Sequence, residues 1–527
     1  MKILFKLFSI ITIIIFLNTS AFAQYTNVRV DDPQSNSPEE VTIAINPANT
    51  NILAAGANLN YFFHSLDGGL GWNQSGMSSS LGVWGDPCVV FDSLGNLYYG
   101  HLSNPISGYW IDRIVIQKST DFGQTWNDGA GIGFQNPKNQ DKEWIAVDFS
   151  QSQFKGNVYV TWTEFDDYGS PSSNDSSRIR FSKSTDMGET WSDAITISDK
   201  SGDAIDSDNT DEGAVPAVGP NGEIYVSWAG PLGLMFDKST DGGETWGTDV
   251  FVSDIPGGWD FDVPGISRCN GLPITMSDIS NSPYRGNIYI CWGDQRNGSD
   301  NTDVFFSRST DGGDSWSPAK RVNNDSTSRH QFFPWMTVDQ TTGNIWAVFY
   351  DRRNTTGVTT DVYMARSTDG GETFDNFKVS ESSFTPTSGV FFGDYINVAA
   401  WNREVRPIWM RLQSGELSVW TALVYDSTSI TSVEDNGFEP DNFTLFQNYP
   451  NPFNPSTTIS YQLPMQEYVT IKVYDVLGNE VETLFAGQAP AGVREVNFNA
   501  SGLSSGIYFY RIDAGNFHQQ KKMILLK

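Results

Sequence analysis

Carboxylic acids stand just ahead of short apolar strands at intervals along this 527-residue sequence. Glu39 and Glu40 precede Val41, Asp86 precedes Pro87, Asp141 and Glu143 precede Trp144, Asp211 and Glu212 precede Val215, and Asp394 adjoins Tyr395. Trp84, Arg268, His330 and Gln331 occupy comparable lead-in positions. A protonated carboxyl and an ionised one on either side of a reacting bond can act as general acid and base, and a tyrosine with a carboxylate partner can act as a nucleophile. Asp86, Glu143, Glu212 and Tyr395 are therefore the candidate catalytic residues. Tyr395 also reads as an aromatic that simply opens an inner strand, and Trp84, Trp144 and Trp335 read either as stacking surfaces or as core.

Two near-identical segments, Asp294-Gln-Arg296-Asn297 and Asp351-Arg-Arg353-Asn354, carry a second kind of chemistry. Arg296 and Arg353 can grip an anionic ligand bidentately, with Asp294 and Asp351 beside them as candidate substrate-binding residues. Alternatively each Asp pairs with its own Arg and braces a long loop. Asp166 and Asp167 lie on a comparable loop. Asp203, Asp206, Asp208 and Asp211 offer oxygen ligands at short spacing, so calcium is a possible cofactor, although the run lacks the turn glycine and terminal glutamate of an EF-hand and reads equally as a solvated loop. No CxxC or His-rich spacing points to another metal.

Loops that recur in this way need a repeating framework. The octapeptide pattern Ser-x-Asp-x-Gly-x-Thr-Trp begins at Ser65, Ser119, Ser184, Ser239, Ser309 and Ser367, at separations of 54, 65, 55, 70 and 58 residues, which suits one four-stranded blade per copy of a β-propeller. Within each copy the Asp can accept amides of its own turn, Gly tolerates positive φ, and the Trp can pack between sheets, so the pattern is structural rather than catalytic. An apolar hairpin precedes each copy. Seven such hairpins start near Val41, Pro87, Trp144, Val215, Pro273, Trp335 and Tyr395, which implies seven blades, with six as the alternative. Val28-Arg29-Val30-Asp31-Asp32 resembles Lys320-Arg321-Val322-Asn323-Asn324, so the N-terminus is expected to supply the missing outer strand of the last blade.

The octapeptides resemble the Asp boxes of the sialidase (neuraminidase) superfamily, over residues 65 to 374. The resemblance implies a mouth on the face opposite the boxes, glycan substrates, a Tyr nucleophile with a Glu partner, and an Asp acid. It implies Tyr395 as the tyrosine and Asp86, Glu143 or Glu212 as acid or base. The family's Arg-Ile-Pro motif is missing: the first inner strand reads Glu40-Val-Thr-Ile-Ala-Ile-Asn, without arginine. Two functions stay open, a glycoside hydrolase or lyase acting on extracellular glycans, and a non-catalytic propeller that binds a glycan, glycoprotein or other protein.

Acidic residues outnumber basic ones by 62 to 33, a formal charge of −29, which disfavours nucleic acid or an anionic membrane as partner. Residues 1–23 combine Lys2 and Lys6, an apolar run from Leu7 to Leu17, and Ala21-Phe22-Ala23, the pattern of a secretory signal peptide, and no later segment reads as a transmembrane span. Three cysteines, Cys88, Cys269 and Cys291, are expected as buried thiols rather than a bridge. Residues 24–425 make the all-β propeller and 426–442 a polar linker. Residues 443–527, with Phe446-Gln-Asn-Tyr-Pro-Asn-Pro-Phe-Asn-Pro, Val473-Tyr-Asp-Val-Leu-Gly and Ser505-Gly-Ile-Tyr-Phe-Tyr, resemble the C-terminal sorting domain of type IX secretion substrates. Their alternating strands at 457–463, 469–476, 493–498 and 507–512 fit a small immunoglobulin-like sandwich. The resemblance implies export through the periplasm to the medium or the outer-membrane surface, with the secretion machinery as partner.

Overall fold

The structure, a computed structural model, describes residues 25–426, 443–445, 448, 451–463, 467–489, 492–515 and 517–527. The expected signal peptide at 1–23 and nearly all of the expected linker lie outside the described residues. Those residues form strands and no helix, in two compact units, Met1–Ser427 and Thr428–Lys527.

Among the described residues the first unit holds seven antiparallel sheets in a propeller-like succession. Their first strands are Thr42–Ile45, Cys88–Phe91, Asn139–Val147, Glu212–Val218, Ile274–Ser277, Gln331–Val338 and Asn397–Trp401. Each first strand contacts the next, and Asn397–Trp401 contacts Thr42–Ile45, so the succession closes on itself. In the last sheet the outermost strand is Asn27–Arg29, paired with Glu416–Ala422. Val30 extends this seam by donating its amide to the Val419 carbonyl at 2.8 Å, and Asp31 accepts the Val419 amide at 2.8 Å while pairing with Arg29.

Second strands such as Val158–Phe165 and Ile288–Asp294 are buried along their whole length, because sheets cover both of their faces. That explains their continuous apolar runs. Trp162, Trp228, Trp292 and Trp409 are fully buried within second strands.

The octapeptides form the turns between third and fourth strands, with one geometry in all six copies. The Ser hydroxyl donates to the Asp carboxylate at 2.7–2.8 Å and accepts the amide of the Gly four residues on at 2.8–2.9 Å. The same carboxylate accepts a second amide two residues further at 2.8–3.0 Å. These turns also lock neighbouring sheets. A Phe three residues before the octapeptide Ser of one sheet lies against the octapeptide Gly of the next: Phe62 on Gly123, Phe181 on Gly243, Phe236 on Gly313 and Phe306 on Gly371, where any Cβ would collide with the ring. The aromatic ending that next octapeptide closes edge-on over the same Phe, at 5.0 Å for Phe62–Trp126, Phe181–Trp246 and Phe236–Trp316 and 5.2 Å for Phe306–Phe374. All three cysteines are buried and free.

The second unit pairs a sheet of Thr444–Leu445, Ser456–Leu463 and Gly492–Asn499 with one of Glu480–Ala489, Glu467–Tyr474, Gly506–Ala514 and Phe517–Leu525. Ile459, Tyr461, Val469, Ile471, Phe498, Tyr510 and Ile512 share its core. Three strands lie outside the expected set: Thr444–Leu445, which is two residues long, Glu480–Ala489, which is exposed or half-exposed along all but its last residue, and Phe517–Leu525, which buries nothing fully before Met523.

Replacing Asp31 by Ala removes the acceptor of a buried amide and strands Arg29, an expected loss of about 1–3 kcal/mol. Chemical unfolding followed by tryptophan fluorescence measures it; an unchanged midpoint would show that the N-terminal strand does not hold the seventh sheet.

Candidate functional site

Six of the seven first strands are entered through a residue with positive φ, two positions before the strand turns apolar: Glu40 (54°), Asp86 (51°), Lys142 (53°), Gly213 (77°), Phe333 (49°) and Gly393 (77°). In three sheets the pairing register shifts there, between Asp141 and Trp144, Glu212 and Val215, and Phe332 and Trp335. A non-glycine residue in this conformation costs roughly 1 kcal/mol or more, so four of them at equivalent positions mark a place where the fold spends stability on geometry. Glu40, Asp86 and Lys142 come from consecutive sheets, which brings their side chains together.

Lys142 is the hub. Its Nζ lies 2.7 Å from Asp394 Oδ2, 3.0 Å from Asp86 Oδ2 and 3.8 Å from Glu40 Oε1. Asp394 is gripped from its other side by Arg268, whose Nε donates to Oδ1 at 2.9 Å and whose Nη2 pairs with Oδ2. Asn270 Nδ2 donates to the Asp394 carbonyl at 3.0 Å. Asn58 joins the remaining acids: its Nδ2 donates to Glu40 Oε2, and its Oδ1 accepts the Asp86 amide at 2.7 Å. Burial disfavours the Lys142 ammonium, but Asp394, Asp86 and Glu40 outweigh it and hold its pKa well above the ordinary lysine value. Burial likewise opposes ionisation of Asp394, and Lys142 and Arg268 override it, holding this carboxyl below the usual range.

A pocket with about 550 Å³ of free space opens beside this network. Asp86, Lys142, Glu143, Asp394 and Tyr395 line it together with Asn270, Leu272, Phe333, Trp144 and Trp335. Trp144 and Trp335 sit 4.3 Å apart between ring centroids, and Tyr395 stands 5.8 Å from each. On the far side of the two tryptophans lies a larger cavity of about 1030 Å³, walled largely by apolar residues such as Ile43, Val89, Phe91, Val147, Val338 and Trp401. Glu143 is the anomaly among the polar residues. It is 2% exposed, and neither carboxyl oxygen has a hydrogen-bond partner beyond its own residue. Burial first, then the charge of Asp86, pushes its pKa well above the ordinary value.

The structure thus brings Asp86, Glu143 and Tyr395 to one pocket. The Tyr395 hydroxyl donates to the Pro87 carbonyl at 3.3 Å, and burial raises its pKa. Glu212 is buried one residue from the pocket-lining Gly213, its pKa raised by burial and by Asp206 and Asp141. Asp294, Arg296, Asp351 and Arg353 are not brought there. Arg353 Nε donates to Asp351 at 2.7 Å, and the guanidinium also donates to Asn324 and Asn376 and stacks 4.5 Å over Tyr363. Arg296 pairs with Asp294, donates to the Asp254 carbonyl and stacks 4.4 Å over Phe305. Both arginines are committed to their own loops. The Asp203–Asp211 run disperses: Asp206 takes the Tyr168 hydroxyl and Arg268, Asp208 the Asp260 amide, and Asp211 the Gly202 amide. Among the described residues no group of three or more His, Cys, Asp or Glu is arranged to hold a metal ion. Sequence reasoning passed over Lys142 and Asn58. Lys142 was findable, since it occupies the position in its sheet that Glu40 and Asp86 occupy in theirs.

Residues 447–526 match the family model for the secretion system C-terminal sorting domain, so this chain ends in a domain that addresses it for export. An endo-acting ulvan lyase of Formosa agariphila is 28% identical over 116 residues, 22% of this chain and 20% of that protein, so the match spans about a fifth of that relative's length. Solved structures similar to the chain include a Hadza microbial sialidase (15% identity, 72% of this chain and 75% of that one, TM-score 0.39) and a Penicillium chrysogenum alpha-L-arabinanase complexed with arabinobiose (14%, 64% and 92%, 0.42). A Streptococcus pneumoniae sialidase is similar at 11% identity, covering 67% and 70% of the two chains, with a TM-score of 0.43. Likeness at this level carries no assignment of reaction. Among the described residues no helix is long and apolar enough to cross a membrane.

The protonated acids give stability a definite sign with pH. Burial raises Glu39 to about 8, and burial with the charge of Asp86 raises Asp141 to about 7, against ordinary carboxylate values near 4. The folded chain therefore holds protons that the unfolded chain releases, and stability falls as pH rises from about 4 through 8; Asp394, shifted the other way, loses its contribution only as pH falls below about 4. Thermal unfolding is expected to be highest near about pH 5 and lower at about pH 9. Lys142→Met should cost about 3–5 kcal/mol at neutral pH by leaving carboxylates buried without their cation, and less at low pH, where they can protonate. A variant whose deficit is the same at both pH values would remove Lys142 from its central role.

Proposed function

We propose that the chain is an exported seven-bladed β-propeller of sialidase-like architecture that acts on an extracellular glycan or glycoprotein as a glycoside hydrolase. Residues 1–23 are the signal peptide, 24–425 the propeller, 426–442 a linker and 443–527 an immunoglobulin-like sandwich read by the type IX secretion machinery, which delivers the protein to the medium or the cell surface. The closed succession of seven sheets of four or five strands supports the blade count, and the sorting-domain match supports the route.

One observation carries the reaction: a carboxyl that keeps its proton and a carboxylate held by a cation line the same pocket. Glu143 is the general acid, since a buried, protonated carboxyl can deliver its proton to a leaving oxygen. Asp86, ion-paired with Lys142, supplies the negative charge that stabilises an oxocarbenium-like centre or activates water. Tyr395, a phenol at neutral pH, continues the aromatic wall begun by the tryptophans and is the second candidate nucleophile. Glu212 supports the acid cluster from behind the lining. Exposed Trp84 and Phe391, close in sequence to Asp86 and Asp394, give a flexible sugar chain flat surfaces at the rim. Asp294–Arg296 and Asp351–Arg353 brace that rim.

A second reading, capture of a glycan or protein without turnover, is favoured by one specific feature. Asp86 and Asp394 are both already bound to Lys142, which leaves no uncommitted ionised nucleophile in the pocket.

Mass spectrometry of products from neutral, amino, uronic-acid and sialylated polysaccharides separates the two. The hydrolase reading expects released sugar from at least one of them, and a loss of about 10²–10⁴-fold in kcat for Glu143→Gln. Binding without product from any substrate would leave the capture reading standing.

A further inference from the structure

The charges around the pocket restrict what it can hold. Lys142 is the cation in its lining, and it is spent on Asp394, Asp86 and Glu40; Arg268, which holds Asp394 from outside the lining, is spent on Asp394 and Asp206. An anionic ligand would find no free guanidinium or ammonium there. It would instead meet Asp86, Glu143 and Asp394 at the pocket wall with Glu40, Asp141 and Glu212 buried close behind.

Glu143 supplies the complementary half of the argument. A carboxyl withdrawn from water with neither oxygen bonded is costly, on the order of 1–3 kcal/mol for a neutral polar group, unless a donor arrives from elsewhere. Its side chain lines the pocket, so a donor can come from a bound molecule. The surrounding wall is aromatic: Trp144, Trp335 and Tyr395 are in mutual contact, and ring faces attract cations through their quadrupole. The chain's net charge of −29 adds a long-range field of the same sign preference.

We infer that this pocket selects a positively charged sugar, an amino sugar whose ammonium lies between the Glu143 carboxyl and the aromatic wall. The inference rests on the glycan reading above and narrows its substrate class. On approach of the ammonium, Glu143 releases its own proton to solvent and pairs with the ammonium under the shelter of the tryptophans; the ammonium then returns a proton to Glu143 for delivery to the leaving oxygen. Asp86, Asp141, Lys142, Cys88, Tyr99 and Tyr395 are the other titratable groups whose fields reach Glu143 or feel it, and none of them brings an uncommitted positive charge.

The test is calorimetric titration of the mature full-length chain at about pH 6, where a primary amine is charged. Three β-1,4-linked tetrasaccharides are compared, differing only in the C2 substituent: glucosamine, N-acetylglucosamine and glucose. Glucosamine tetrasaccharide is expected to bind at least about tenfold more tightly than either counterpart. Repetition in buffers of different ionisation enthalpy should register a proton released. Glu143→Gln should reduce the preference to near unity while leaving the unfolding midpoint close to that of the parent, and Glu143→Asp, which restores the charge, should recover part of it. Equal binding of all three sugars would overturn the cationic selectivity and leave the glycan reading intact. Binding of none would overturn both, and ethanolamine binding as tightly as the amino sugar would assign the pocket to amines without the sugar.

Discussion

Everything at the mouth depends on a lock at the opposite end of the sheets, where the phenylalanine of one sheet is held between the glycine and the aromatic of the next octapeptide. The octapeptides join third to fourth strands, and antiparallel pairing puts those turns at the end remote from the lead-in to the first strand. Repeating this contact of Phe with Gly and a closing aromatic at four of the sheet junctions helps to fix how far those sheets are rotated from their neighbours. Lys118, Lys183 and Lys238 add a salt bridge of 2.6–2.8 Å to an acid of the next octapeptide, and Lys183 and Lys238 also donate to its glycine carbonyl. Those exposed bridges contribute little energy individually, and their value lies in direction. With the rear turns fixed, the front loops are free to vary in sequence without disturbing the ring.

The front loops use that freedom to concentrate charge where water is scarce. Glu40, Asp86 and Lys142 adopt positive φ at equivalent points of three consecutive sheets, and the strain is tolerated because the strands on either side determine the backbone path. The result is one ammonium shared by three carboxyls, with Arg268 supporting Asp394. In so dry a setting a carboxyl either pairs or keeps its proton, and the pocket contains both outcomes. Asp394 is fully paired and ionised. Glu143, with no partner, is protonated. Two acids of ordinary solution chemistry are thereby set to different states within one cavity, which is the condition acid–base chemistry requires.

Much of this was legible in the sequence because repetition shows itself as spacing. The octapeptides and the seven apolar hairpins announce the sheets, and the starts of several first strands were placed within two residues, as with Cys88, Ile274 and Asn397. The strands opening at Asn139, Glu212 and Gln331 begin three to five residues earlier than the apolar pattern suggests, since a bulge carries polar lead-in residues into the ladder. That Asp86, Glu143 and Tyr395 line one pocket follows from their equivalent positions at the entries of the first strands. Lys142 was hidden by its chemistry, because a lysine between two acids reads as solvated surface until the backbone turns it inward. Asn58 was hidden by distance: it lies between the second and third strands of the first sheet, and only the packing of the second sheet against the first sets it between Glu40 and Asp86. The arginine loops show the converse. Asp294–Arg296 and Asp351–Arg353 repeat because their sheets repeat, and the pairing they suggest is internal to each loop.

The axis of the propeller is divided by Trp144 and Trp335, and the division decides the direction in which the acid cluster acts. First strands run from the mouth towards the octapeptide face, so their leading residues line the upper pocket and their later ones the lower cavity. Charge is confined to the lead-in residues. Beyond the two rings the same strands present Ile43, Val89, Phe91, Val147 and Val338. The paired and protonated acids are therefore backed by apolar walls on the octapeptide side and open towards the mouth on the other. The same pair of rings that closes the channel thus supplies the surface on which a sugar would rest, so sealing the axis and building the site are one structural act.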